Sequence, residues 1–256
     1  MSVVIDAVRY SSGGKPVAMP SSRRVVKVFP EGGQGPYDPD TNSVIRIELA
    51  PSLGFLDTHN SYLSFRVRTK SGTVDHTKEC RMDKNSMSWL KTFTIMSSTG
   101  AQLEHLEHHN LLLNLLHKTT GGPVYSNSIG KMIDNYGDRA ARNAAMAHPQ
   151  GSVYNSGFDV SGILNGESGK LIPLSFLQGP LMLELTMAPM KECFVYSDAQ
   201  GQTGSYQVTD IEYHAHVLSF SEEYNAKFSQ QYSTAERKPL QGSQERSTSK
   251  RSSPRC

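Results

Sequence analysis

The 256-residue chain is 37% apolar and 20% charged, with a formal net charge of +2, which is typical of a soluble globular protein. Its cysteines, Cys80, Cys193 and Cys256, are odd in number and far apart, which argues against a disulfide framework or a thiolate zinc site. No run reaches the ~20 apolar residues that span a bilayer, and residues 1–14 lack the pattern of a secretory signal. These features predict an intracellular protein without a membrane partner.

Alternation of apolar and polar residues with a period of two predicts strands along most of the chain, separated by clusters of Gly, Pro, Asn and Asp. A phase slip near Asp210 predicts a β-bulge in the last of them. Such strands are typical of antiparallel sheets with one buried face. We therefore predict an all-β protein, either a β-sandwich or a jelly roll of antiparallel sheets. The predicted strands lie in RRVVKVF (23–29), SVIRIELA (43–50), SYLSFRVRT (61–69), KTFTIMS (91–97), PLMLELTMA (180–188) and YQVTDIEYHAHVLSF (206–220).

One stretch departs from this period and predicts a helical insertion near 99–118. Thr99 and Gln102 form a plausible capping box, and glycines 121 and 122 with Pro123 would stop the helix. A weaker helical pattern runs over 137–148. The first helix would carry an apolar stripe made of Leu103, Leu106, Asn110, Leu113 and Leu116.

The same helix contains the densest group of histidines. His105 and His109 are four residues apart and would share one flank of a helix, as metal ligands do. The spacing matches neither HExxH nor its inverse, and no further ligand is evident. GESGKL (166–171) departs from the phosphate-loop pattern GxxxxGK[ST], and the chain has no GxSxG motif. We expect no metal, no cofactor and no enzymatic activity.

We divide the chain into three parts. Composition separates a C-terminal tail from the rest, and the span of the family resemblance described below implies a jelly-roll domain at 43–228, preceded by an N-terminal arm with the first strand at 1–42. Residues 229–256 hold six Lys/Arg against two Glu and read as a disordered, basic, Ser-rich tail. We predict that this tail contacts nucleic acid or an acidic partner through Arg246, Lys250, Arg251 and Arg255. Such contacts would be non-specific and salt-sensitive.

Four stretches resemble, in the same order, blocks of the major capsid proteins of polintons (Mavericks), polinton-like viruses and virophages. The resemblance covers about residues 43–228, the first of the two jelly rolls in that family, and stops after Phe228. His109 stands where the family usually has an aromatic residue. The stretches are LGFLDTHNSYLSFRVRT (53–69), SWLKTFTIMSSTGAQLEHLEHHNLLLNLLH (88–117), SGILNGESGKLIPLSFLQGPLMLELTMAP (161–189) and YQVTDIEYHAHVLSFSEEYNAKF (206–228).

The resemblance implies a jelly-roll β-sandwich of two packed four-stranded antiparallel sheets. It also implies a structural capsid subunit that self-associates, as a homotrimer where its interface is complete, and joins other capsid proteins in an icosahedral shell. It implies location in the virion, after synthesis in the host cytoplasm or nucleus, and a helix without a metal. We predict neighbour contacts from loops 70–90 and 121–157. The predicted subunit interface on the helix is Leu111, Leu112 and Leu115.

Two other functions remain open. A jelly roll can serve as a ligand- or glycan-binding module, for which Trp89 beside Ser86–Ser88 is the candidate contact. A nucleic-acid-binding protein acting through the basic tail is the other alternative.

Overall fold

The computed structural model describes residues 21–75, 80–83, 85–120, 147, 151–158, 160–165, 171–196 and 204–236. The chain divides into two units, each of which is described by itself. The first consists of Met1–Val17 with Arg23–Ser219, and the second of Ala18–Ser22 with Phe220–Cys256.

Two main antiparallel sheets build the first unit. One has six strands in the order β8-β4-β12-β3-β9, with β1 also paired to β12, and the other has four in the order β2-β10-β6-β7; β5 and β11 form a separate pair. The predicted jelly-roll sandwich is confirmed, although one sheet has six strands where four were expected. The strands are β1 (Ser21–Val28), β2 (Val44–Leu49), β3 (Phe55–Asp57), β4 (Tyr62–Thr69), β5 (Cys80–Met82), β6 (Leu90–Met96), β7 (Gln102–Leu106), β8 (Ser152–Ser156), β9 (Leu171–Pro173), β10 (Leu181–Met187), β11 (Phe194–Tyr196) and β12 (Tyr206–Phe220).

Alternation along the strands produces the core. In β4 and β10 every second residue is buried, because successive side chains point to opposite faces of a sheet. Phe158 joins the two sheets, since its ring stacks on Phe93 of β6 at 4.7 Å and lies 6.3 Å from Tyr213 of β12. The Tyr206 hydroxyl donates to the Ala188 carbonyl at 2.6 Å, so a buried polar group of the core is paired.

The predicted bulge in β12 is confirmed. Its register against β4 shifts between Thr209 and Glu212. Asp210 has φ 55°, a left-handed conformation that few residues other than glycine adopt. The bulge exposes Asp210, while pairing with β4 ends at Thr209 before the bulge and resumes at Glu212 after it.

The helices of the described chain are α1 (His109–Thr120), α2 (Met190–Cys193) and α3 (Glu222–Glu236), with short 3-10 turns at Pro51–Leu53 and Leu174–Phe176. The prediction of a helix from residue 99 is wrong for its first ten residues. The helical pattern at 137–148 lies outside the described residues, apart from Ala147.

Strand pairing replaces the predicted first turns of the helix. The Ser97 amide donates to the Ala101 carbonyl at 2.9 Å, and Gly100 takes φ 80° in this turn. The chain therefore reverses, and β7 pairs with β6, so that His105 lies opposite Thr94. Thr99 bonds the Ser97 hydroxyl instead of capping a helix. Pairing with the adjacent strand β6 here overrides a local spacing of apolar residues that fits a helix.

The second unit contains α3. Within α3, Tyr224 packs on Phe228 with ring centroids 6.1 Å apart, as residues four apart on a helix do. Tyr224 also packs on Phe220, the residue that ends β12, at 4.6 Å. The boundary at 229, where a disordered tail was expected to begin, falls inside this helix. Residues 237–256 lie outside the described residues.

Candidate interaction surface

Helix α1 lies against the four-stranded sheet with one buried face. His109, Asn110, Leu113 and Asn114 are buried, and His109 lies 6.2 Å from the Phe93 ring of β6. Asn114 accepts a bond of 3.4 Å from the Ser88 hydroxyl. This face fixes the orientation of the helix on the sandwich.

The opposite face of α1 exposes four leucines, which we call the leucine face. Their exposed fractions are 56% for Leu111, 39% for Leu112, 61% for Leu115 and 39% for Leu116. The three predicted interface residues are thus on one surface. Leu116 belongs to the predicted apolar stripe with Leu113 but lies on the exposed face. Its spacing of four from Leu112 places it beside that residue, since the helix starts at 109.

A further leucine is exposed on strand β7. Leu103 of β7 is 51% exposed, and β7 is the last strand of the four-stranded sheet. Glu104 of the same strand binds the segment 161–163. Its carboxylate accepts hydrogen bonds from the Ser161 hydroxyl at 2.7 Å and from the amides of Gly162 and Ile163. β7 is therefore held at the edge by side-chain contacts to the segment 160–165.

The two histidines that were considered as metal ligands, His105 and His109, lie on different elements. His105 is on β7, where its Nδ1 lies 2.9 Å from the Thr94 hydroxyl. His109 is on α1, fully buried, and burial lowers its pKa to about 4. Within the described residues, no group of three or more His, Cys, Asp or Glu side chains could hold a metal ion. The expected shared helix flank is wrong because the two residues belong to different elements.

Trp89 does not offer a glycan contact. Trp89, Ser86 and Ser88 are all fully buried, and the Trp89 ring packs edge-on against Phe65 at 5.3 Å. An aromatic ring that binds a sugar must be accessible to it. The prediction of Trp89 as a glycan contact is therefore wrong. It rested on the neighbouring serines, which suggested an exposed position for a residue of the core.

The buried thiols are poor nucleophiles. Cys80 and Cys193 are free and buried, and burial raises the pKa of the Cys80 thiol to about 11. Burial raises the pKa of Cys193 as well. Because the thiolate is the reactive form, neither sulfur is prepared for catalysis.

Other predicted contacts lie outside the described residues. These are the four basic residues of the tail, Arg246, Lys250, Arg251 and Arg255, together with loop residues 76–79, 84, 121–146 and 148–150. Among the described helices, none has the length and apolar character needed to cross a membrane.

The two packed sheets place the chain in the class of jelly-roll β-sandwiches. No protein-family model matches the chain, and no curated protein does. Among solved structures it is similar to the PBCV-1 virus capsid in a quasi-atomic model, with 11% identity and a TM-score of 0.48 over 86% of this chain and 47% of that chain. It is also similar to PBCV-1 VP54 fitted into a cryo-EM reconstruction of the virophage Sputnik, with 10% identity, a TM-score of 0.48 and the same coverage. The chain spans about half the length of these solved structures.

Proposed function

We propose that this chain is a structural capsid protein, the first jelly roll of a double jelly-roll subunit of the polinton and virophage type. Its role is to associate with copies of itself and with other capsid proteins in a virion. In this role the chain acts by packing, and no catalytic step is involved.

The observation that carries this proposal is the position of the four capsid-like sequence stretches on the fold. Stretch 53–69 contains β3 and β4, 88–117 contains β6, β7 and most of α1, 161–189 contains β9 and β10, and 206–228 contains β12. Together they supply the central strands of both sheets. The resemblance therefore follows the framework of a jelly roll and is not confined to one motif.

The leucine face is the surface we assign to association. Clusters of large, solvent-exposed apolar side chains are typical of interaction sites. Fully burying a leucine stabilises by about 1.5–3 kcal/mol, and Leu115, at 61% exposed, has most of that gain still available. Association with a neighbouring subunit that covered Leu111, Leu112 and Leu115 would gain this free energy of burial. We propose that the product is a homotrimer.

The test is the native mass of the purified chain, measured by light scattering over a range of concentrations. We expect a trimer or a larger symmetric species at high concentration. Replacing Leu115 with Glu should yield a monomer with an unchanged far-UV circular dichroism spectrum, because a charge placed at a desolvated contact is costly whereas on an exposed helix face it is not.

A matched control is Val153→Glu. Val153 is also apolar and 52% exposed, but it lies on β8 in the other sheet. This variant should keep the mass of the unmodified chain. An unmodified chain that stays monomeric at every concentration would contradict self-association, and a Leu115→Glu variant that keeps the oligomeric mass would remove the leucine face from the interface.

A further inference from the structure

A cleft of about 470 Å³ lies on the outer side of the six-stranded sheet. Its lining combines a loop, a pair of arginines and the β12 bulge: Gln34, Gly35, Pro36, Arg66, Arg68, Thr209 and Asp210. The arginines are on the solvent face of β4, since they alternate with Phe65 and Val67, which are fully buried. None of these residues belongs to the leucine face.

The loop wall of the cleft is held by backbone bonds to β12. The amide and carbonyl of Tyr37 both pair with Val208 at 2.9 Å, and the Ile211 amide donates to the Gln34 carbonyl at 3.3 Å. Gly35 allows this approach, because a Cβ there would lie 2.8 Å from the Val208 carbonyl oxygen. The wall is thus fixed by main-chain contacts before a ligand arrives.

The floor of the cleft presents two guanidinium groups. Arg66 and Arg68 are two residues apart on one strand, so their side chains emerge about 7 Å apart on the same face. The backbone at Gly151 packs closely over their stems, where an added Cβ would lie 2.8 Å from Arg68 Cβ and 3.2 Å from Arg66 Cγ. Guanidinium groups bind phosphate and carboxylate oxygens through paired N–H donors.

A carboxylate of the chain, that of Asp210, already accepts a hydrogen bond from one of these guanidinium groups. Arg66 Nε donates to Asp210 Oδ2 at 2.9 Å, and the Asp210 side chain is 62% exposed. The bulge places this carboxylate in the cleft, with Asp210 in a left-handed backbone conformation at φ 55°. Among the lining residues that the structure describes, the charged groups are the guanidinium groups of Arg66 and Arg68 and the carboxylate of Asp210. An oxyanion can exchange with such a carboxylate, because both present the same kind of acceptor oxygen to a guanidinium group.

We propose that this cleft binds a phosphate-type oxyanion through Arg66 and Arg68, with Asp210 as the resident carboxylate that the arriving anion displaces. The ligand chemistry is that of a phosphate monoester or of a nucleic-acid phosphodiester. The site is independent of the leucine face, and its test does not require the chain to assemble.

The test is calorimetric titration of the full chain with inorganic phosphate at low ionic strength, and in parallel with an oligothymidylate. Arg68→Gln should weaken binding roughly tenfold, which corresponds to the loss of a hydrogen bond to a charged group. Asp210→Asn should strengthen binding several-fold, because it removes the competing carboxylate, and asparagine tolerates the left-handed backbone.

The matched control is Arg46→Gln. Arg46 also donates through Nε to a carboxylate on the next strand, Glu184 Oε2 at 2.8 Å, but it lines no part of this cleft. Its replacement should leave affinity unchanged. If oligothymidylate binds more tightly than phosphate and its affinity follows the same variants, the natural source is a nucleic acid; if phosphate alone binds, the source is a small phosphate.

Three results would overturn the proposal. They are the absence of saturable binding of either probe up to about 10 mM, equal weakening by Arg46→Gln and Arg68→Gln, and unchanged or weaker binding by Asp210→Asn. The last result is decisive even where Arg68→Gln folds poorly, because the two variants are expected to change affinity in opposite directions.

Discussion

The buried imidazole of His109 should make the stability of the fold depend on pH. His109 is fully buried at the start of α1, and neither ring nitrogen has a hydrogen-bond partner among the described residues. Burial lowers its pKa from 6.5 to about 4. The positive end of the helix dipole at this position further disfavours a charged imidazole.

The direction of the effect follows from the two pKa values. Between pH 6.5 and 4 the unfolded chain binds a proton at His109 that the folded chain does not, so acidification favours unfolding. The contribution is fully present above pH 6.5 and is lost as the pH falls towards 4. At about 1.36 kcal/mol per pH unit, the lower pKa corresponds to a loss of roughly 3 kcal/mol, a large fraction of the stability of a typical domain.

The assay is urea unfolding, followed by the fluorescence of Trp89, at several pH values between 7.5 and 4. Other groups titrate in this range, among them His216, whose pKa is lowered by burial and by Arg23. The measured quantity is therefore the difference between the unmodified chain and His109→Phe, with His109→Gln as a second reference that does not titrate. That difference should change by roughly 3 kcal/mol across the window. A difference that stays constant from pH 7.5 to 4 with both references would refute the reasoning.

Three further predictions concern the core, a turn and the thiols. Leu113→Ala should lower the free energy of unfolding by about 2–4 kcal/mol in the same urea assay, because it leaves a cavity under α1. Gly35→Ala should destabilise by about 1–3 kcal/mol, since φ is 106° and the added Cβ meets the Val208 carbonyl at 2.8 Å; a change within about 0.5 kcal/mol would contradict this. At pH 8 Cys80 and Cys193 should resist a thiol reagent until denaturant is added, as peptide mapping of the labelled chain would show.

The strands could be predicted from the sequence because buried and exposed positions alternate along each strand, and the apolar and polar residues alternate with them. Residues 62–69 alternate apolar and polar side chains along their length, and the structure buries every second one. The bulge at Asp210 was equally visible, because an inserted residue shifts the phase of that alternation. Both signals are local, so no knowledge of the partner strand was needed.

The start of α1 could not be predicted in the same way. In Gln102–Leu106 the apolar residues are three apart, which fits a helix, and the choice of a strand depends on pairing with β6. Glu104 adds a contact with Ser161, 57 residues away. The sequence does not indicate either contact. His105 and His109 were therefore assigned to one helix.

The cleft was invisible to sequence analysis because it depends on register. Its lining comes from three segments, 34–36, 66–68 and 209–210, each unremarkable by itself. The pairing of Arg66 with Thr209 across β4 and β12 brings two of them together. The glycine- and proline-rich loop at 34–36 supplies the third segment and forms a wall of the cleft.

Helix α1 links the stability of the sandwich to the surface it offers. A twelve-residue helix is marginal in water without tertiary contacts, so its buried face, through Leu113 and Asn114, keeps the helix formed. The exposed leucines share a surface only while that helix persists, because residues three and four apart are neighbours in a helix and not in an extended chain. Loosening of the buried face, whether by a cavity at Leu113 or by a proton on His109, therefore disperses the leucine face too. Replacement of Leu115, which contacts solvent, should alter association without this cost to the fold.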